Sequence, residues 1–121
     1  MLVKNFYTIL SFDSSDQQLE ATLLFNPDHE VYLGHFPGQP VVPGVIQLLI
    51  VKELLEQHLK QKLKLVSMSQ AKFLNMIVPD RQAVMTSITY KTDVNLLQVD
   101  ASLFKNNQCC TKVKAVYSMV I

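Results

Sequence analysis

The stretch Gly34-His35-Phe36-Pro37-Gly38-Gln39-Pro40-Val41-Val42-Pro43-Gly44-Val45 brings together a histidine, a stiff backbone and the start of a helix. Prolines fix φ, and glycines permit positive φ or close approach, so the segment reads as a shaped loop rather than a linker. The loop feeds into a helix N-terminus at Pro43-Gly44, where unpaired backbone N–H groups and the helix dipole favour partial negative charge. With no side chain at Gly44, a ligand carbonyl can come close to those groups. An imidazole at His35 beside such donors is the minimal equipment for removing a proton next to a carbonyl and stabilising the resulting enolate. The segment therefore asks for a carbonyl substrate.

Other residues with chemical potential read more plainly. All three glycines of the 121 residues lie in this loop, and four of the five prolines (Pro27, Pro37, Pro40, Pro43) lie in or just before it. His29 precedes Glu30 and reads as a turn or surface residue, while the helix dipole or simple solvation accounts for His58. Cys109 and Cys110 are adjacent in a strand, point to opposite faces, and read as reduced packing residues. No cluster of His and Cys surrounds them, so neither a metal nor a cofactor is expected.

The elements that must position the loop follow from periodicity. Val3 to Phe12 and Gln18 to Asn26 read as two strands joined by a turn at Asp13, Ser14, Ser15 and Asp16. Val45, Ile46, Leu48, Leu49, Ile50, Val51, Leu54, Leu55, Leu59 and Leu63 form a helix that is apolar nearly all round its first two turns, as a buried helix is. Its far end is polar (Gln57, His58, Lys60, Gln61, Lys62, Lys64), and the lysines suit the negative end of the dipole. From Leu65 the pattern changes to period two, with Val84, Thr86, Ile88 and Tyr90 on one face, then Leu97, Val99, Ala101 and Leu103, then Val113, Ala115, Tyr117 and Met119. Turns at Pro79-Asp80, Asp93 and Asn106-Asn107 separate four such strands. The expected architecture is α+β, a single domain over residues 1–121 in which an antiparallel sheet of about six strands wraps round one long central helix.

Composition narrows the function classes. A formal net charge of +1 and 17% charged residues give no field for nucleic acid, and no arginine-rich run is present. No low-complexity tract suggests disorder, and no apolar run reaches the length of a membrane span. Met1 to Phe12 lacks the cleavage pattern of a secretory leader, which leads to the expectation of a soluble, cytoplasmic protein.

Residues 35 to 45 resemble the signature loop of the β-hydroxyacyl-(acyl carrier protein) dehydratases of fatty acid synthesis, His-Phe-Pro-Gly-x-Pro-Val-x-Pro-Gly-Val, and match it position for position. The resemblance extends less specifically through Ala71-Lys72-Phe73 and the Val78-Pro79-Asp80 turn. It implies the hot-dog fold, with His35 as the base that takes the α-proton and the Gly44 N–H binding the thioester carbonyl. Phe36, Val45 and Leu49 are the implied neighbours of the substrate. It also implies a homodimer or higher oligomer whose sites are shared between subunits, and a substrate carried on acyl carrier protein or coenzyme A. The family's acid lies on the central helix, fourteen residues after the histidine and from the facing subunit; here that position is Leu49. Leucine neither donates nor accepts a proton. Glu53 lies one turn on, on the same face and about 6 Å away, and serves as the acid only in a rearranged pocket. Gln47 is about 200° round the helix from Leu49 and cannot take its place.

Three readings follow. The first is a β-hydroxyacyl-thioester dehydratase with His35 as base, Gly44 as oxyanion donor, and the acid supplied by Glu53, a bound water or another subunit. The second is a half-site subunit that binds acyl carrier protein thioesters and needs a paralogue, in a heterodimer, to supply the acid. The third is an acyl thioesterase, for which the only acids beside the loop are Asp28 and Glu30. Lys60, Lys62, Lys64 and Arg81 either meet an acidic carrier protein or form a solvated face.

Overall fold

A computed structural model describes residues 5–34 and 38–119 of the chain. Its elements run β1 (Tyr7–Ser15), β2 (Gln18–Phe25), α1 (Val31–Gly34), α2 (Gly44–Leu59), β3 (Leu63–Phe73), β4 (Val84–Asp93), β5 (Leu96–Lys105) and β6 (Gln108–Met119). The strands form one antiparallel sheet in the order β1-β2-β4-β5-β6-β3, so β1 and β3 are its edges. This is the expected six-stranded antiparallel sheet with one long helix.

Alternation decides which faces turn inward. Val84, Thr86, Ile88 and Tyr90 of β4, Leu97, Val99, Ala101 and Leu103 of β5, and Val113, Ala115 and Tyr117 of β6 are all buried. Ile50, Val51, Leu54 and Leu55 of α2 enter the same core. Every second residue of three neighbouring strands thus enters one core with the helix, which seats α2 on the sheet. No helix among the described residues is long and apolar enough to cross a membrane.

The boundaries depart from expectation in three places. Strand β1 starts at Tyr7 and continues through Ser15, which pairs with Gln18, so the expected four-residue turn shrinks to Asp16-Gln17 with Gln17 at φ 60°. Helix α2 stops at Leu59 because Lys60 takes a left-handed conformation (φ 56°) and returns its N–H to the Glu56 carbonyl. Leu63, expected on the helix, opens β3 and is buried there. The apolar first turns of α2 are also less covered than expected: Val45 is 65% exposed, and Ile46, Leu48 and Leu49 are only partly buried. One chain has no second layer to place over that face.

Two hairpins show how turn chemistry sets register. Asn106 and Asn107 both have positive φ (53° and 62°) and join β5 to β6 with Lys105 facing Gln108, a tight turn that asparagine tolerates. Between β4 and β5, Val94 stands at φ 57°, a conformation unfavourable for a β-branched residue, and its side chain is 88% exposed. Nothing in the core offsets that strain. Val94→Asn is expected to raise stability by about 1 kcal/mol, the usual left-handed penalty for a residue with a bulky Cβ; unchanged or reduced stability in a denaturant titration would show that the turn is relaxed with valine.

Candidate functional site

The start of α2 is anchored by one buried amide. Gln47, 3% exposed, donates from Nε2 to the Val42 carbonyl at 3.1 Å, and its Oε1 accepts the Thr111 hydroxyl of β6. Val42 in turn donates its N–H to the Ile77 carbonyl at 2.8 Å. Gln47 therefore faces the sheet, on the opposite side of the helix from Leu49. Pro43, the N-cap residue, is extended (φ −61°, ψ 144°) and provides no side-chain cap. The N–H groups of Ile46 and Gln47 both turn to the Pro43 carbonyl. Those of Gly44 and Val45 remain at the helix end without an intrahelical partner.

Gly44 leaves room here for an aromatic ring. A Cβ on it would stand 2.8 Å from Cζ of Phe73, the last residue of β3. Phe73 is 48% exposed, so its ring forms a movable cover over the first turn of the helix. Pro43, Gly44, Val45, Phe73, Asn75 and Met76 help line a cleft of about 480 Å³. The segment after Phe73 is tied down: Leu74 donates to the Cys110 carbonyl at 2.7 Å, and Asn75 Nδ2 to the Cys109 carbonyl at 2.9 Å. The following turn is held by Lys105, whose Nζ lies 2.8 Å from both the Val78 carbonyl and Asp80 Oδ1. That bond holds the Asp80 carboxyl below its ordinary range.

The structure brings Gly44 and Val45 together with Phe73; His35 and Phe36 lie outside the described residues. Just upstream, His29 has the turn role expected of it, accepting the Val31 N–H on Nδ1 at 3.0 Å with its ring 5.0 Å from that of Phe6. Tyr32 on α1 is buried with no hydrogen-bond partner for its hydroxyl among the described residues, and burial pushes its pKa up to about 12.

A second groove, of about 640 Å³, runs along α2 and the turn after it, lined among others by Leu49, Lys52, Glu53, Glu56, Lys60 and Lys62. Leu49 and Glu53 share it, as their four-residue spacing requires. Glu53 is 8% exposed, and its Oε1 accepts the Tyr7 hydroxyl at 3.1 Å. Burial foremost, then the charge and hydrogen bond of Glu53, push the Tyr7 hydroxyl well above the ordinary tyrosine range, so Tyr7 is the donor. Sequence reasoning missed Tyr7 beside Glu53, because it lies 46 residues away on a strand whose pairing no local pattern announces. The basic residues do not form one patch: Lys60 and Lys62 line the groove, Lys64 lies on β3, and Arg81 approaches Asp28 at 3.6 Å on the surface. His58 is not simply solvated, because its Nε2 lies 3.0 Å from the Tyr90 hydroxyl and its ring packs near Phe12. Both cysteines are free. Among the described residues, no group of three or more His, Cys, Asp or Glu is placed to hold a metal.

Comparison with known proteins gives a consistent result. The family model for ApeI-like proteins, described as ApeI dehydratase, matches residues 11–113. A 3-hydroxyacyl-[acyl-carrier-protein] dehydratase FabZ of Streptococcus equi subsp. zooepidemicus is 32% identical over 96 residues, covering 74% of this chain and 69% of the relative. FabZ of Streptococcus pyogenes is 33% identical over 94 residues, covering 72% and 68%. In fold, the chain is similar to the dehydratase heterocomplex ApeI:P from Xenorhabdus doucetiae (TM-score 0.76, 21% identity, 92% of this chain and 96% of that one). It is also similar to a thioesterase from Haemophilus influenzae (TM-score 0.69, 16% identity, 98% and 82%).

The contact between Gly44 and Phe73 makes a separable prediction. Gly44→Ala should change stability by less than about 1 kcal/mol, because alanine favours the helix and the half-exposed ring can swing away. The Phe73 ring resonances should nevertheless shift. A loss above about 3 kcal/mol in a thermal melt would show that the ring is fixed.

Proposed function

The chain belongs to the ApeI-like dehydratase family of hot-dog proteins, and we propose on that premise that it removes water from a β-hydroxyacyl chain carried as a thioester on acyl carrier protein or coenzyme A. The observation that carries this reading is the uncapped first turn of α2, where the Gly44 and Val45 N–H groups end beside a cleft under Phe73. A thioester carbonyl seated there gains two donors and the positive end of the helix dipole as charge develops on its oxygen.

In the proposed step His35 takes the α-proton, the electrons form the α,β double bond, and the β-hydroxyl leaves as water with a proton from Glu53. The trans-2-enoyl thioester remains, and the enzyme ends with His35 protonated and Glu53 ionised. Glu53 is the candidate acid because it borders the same groove as Leu49, is largely buried, and is held by Tyr7. The displacement of about one turn relative to Leu49 asks for a pocket remodelled to match. Exposed Val45, Leu65, Val66, Phe73, Leu74 and Met76, beside the unpaired edge of β3, support a second subunit completing the site. Carrier-borne substrates of this kind fit work in the cytoplasm.

A half-site role is the second reading, favoured by Leu49 together with the likeness to a dehydratase described as a heterocomplex. In it this chain provides His35 and the Gly44 N–H, and a paralogue provides the acid.

Purified protein is expected to convert β-hydroxyacyl thioesters to enoyl thioesters, and His35→Ala to lower the rate by about a hundredfold or more. A chain that is inert alone but turns over with an added paralogue supports the half-site role. Free thiol without enoyl product indicates hydrolysis. No product of either kind over a panel of chain lengths, with and without the paralogue, overturns both dehydratase readings.

A further inference from the structure

We infer that Tyr7 is a positioning residue for dehydration, its hydroxyl holding the Glu53 carboxyl in the orientation that presents the acidic proton to the groove shared with Leu49. This rests on the reading of Glu53 as the acid. The geometry is specific. Tyr7 reaches Glu53 from β1, an element that contributes nothing to that groove, so the bond approaches the carboxyl from the protein side. Tyr7 also lines a separate cleft with Asn5, Phe25, Asn26 and Arg81, and its ring packs at 6.5 Å from Phe25. It is thus fixed by packing independently of its partner.

A carboxyl group has two chemically equivalent oxygens, and an acid catalyst works only when the proton sits on the one facing the leaving group. Tyr7 stays protonated and donates to Oε1, which makes Oε1 the acceptor in either charge state of Glu53. The acidic proton is then carried by Oε2. When that proton passes to the departing hydroxyl, the same Tyr7 bond stabilises the carboxylate left behind. Lys52, Glu56, Lys60 and Lys62 surround the groove and set its field, but none of them makes this bond. The interaction strengthens as the proton leaves, so its effect falls on turnover rather than on substrate binding.

The test compares wild type, Tyr7→Phe and Glu53→Gln as full-length proteins with a β-hydroxyacyl thioester. Where wild type needs an added paralogue, all three are assayed with it. Tyr7→Phe keeps the ring and its packing, and is expected to lower kcat about tenfold at unchanged KM, with an intact melting transition. A purely structural tyrosine would leave kcat alone. In a second measurement, the tyrosinate absorbance step that Tyr7→Phe deletes is expected at lower pH in Glu53→Gln, because that substitution removes the Glu53 charge that helps hold the Tyr7 proton while its amide oxygen still accepts the hydrogen bond. An active wild type whose Tyr7→Phe variant keeps its kcat, or a tyrosinate step unmoved by Glu53→Gln, overturns this inference alone. A wild type that is inert in every combination, or a Glu53→Gln variant with full activity, overturns the reading of Glu53 as the acid, and the role of Tyr7 falls with it.

Discussion

The geometry of the candidate site hangs on the buried carboxamide of Gln47. In the first turn of α2 it joins the loop at Val42 and the helix itself to Thr111, distant in sequence on β6. A buried amide left half paired costs roughly 1–3 kcal/mol, so each of these bonds enforces the others. The loop reaches the helix at one height above the sheet, Pro43 is held extended, and Gly44 and Val45 of the first turn line the cleft with Phe73. Because a helix rises 1.5 Å per residue as a nearly rigid body, fixing its first turn also fixes Leu49 and Glu53 farther along. Both the uncapped start of α2 and the groove that Glu53 lines are placed by the same anchor.

A tension runs through the same helix. Its opening turns are apolar apart from Gln47, yet the chain covers only the side facing the sheet, leaving Val45 in solvent beside the unpaired β3 edge. Gln47 satisfies the one polar demand on the inner face, and the outer face carries no polar residue until Lys52. The carboxylate that follows is drawn inward, where Tyr7 meets it. Glu53 thus lies one turn along the helix from Leu49, buried and bonded to a tyrosine.

Much of this was legible in the residues. The period-two faces of β4, β5 and β6 emerged as written, because the inward positions are apolar apart from Thr86 and Thr111 and the intervening ones mostly polar. The Asn106-Asn107 turn was equally plain from asparagine's tolerance of positive φ. The loop from Gly34 to Gly44 announced itself through its prolines and glycines, and the start of the helix at Gly44 followed. What stayed hidden depended on contacts between distant segments. Phe73 over Gly44, Tyr7 on Glu53, and Thr111 on Gln47 each join elements whose pairing is a property of the whole sheet. The end of α2 was misjudged for a different reason: Leu63 continues the apolar series, and Lys60, a good helix former, carries no sign that it will turn left-handed.

Glycine scarcity has a last consequence. Among the described residues, positive φ falls on Asn5, Gln17, Lys60, Arg81, Val94, Asn106 and Asn107, and on a single glycine, Gly38. Glycine at those seven places would ease the folded backbone but leave the unfolded chain many more states to sample, a difference of about 0.4–1 kcal/mol at each position. Side-chain-bearing residues narrow the unfolded ensemble instead. This chain thus begins folding with less disorder to lose, and its glycine at Gly44 is spent on letting an aromatic ring rest against the backbone at the start of α2.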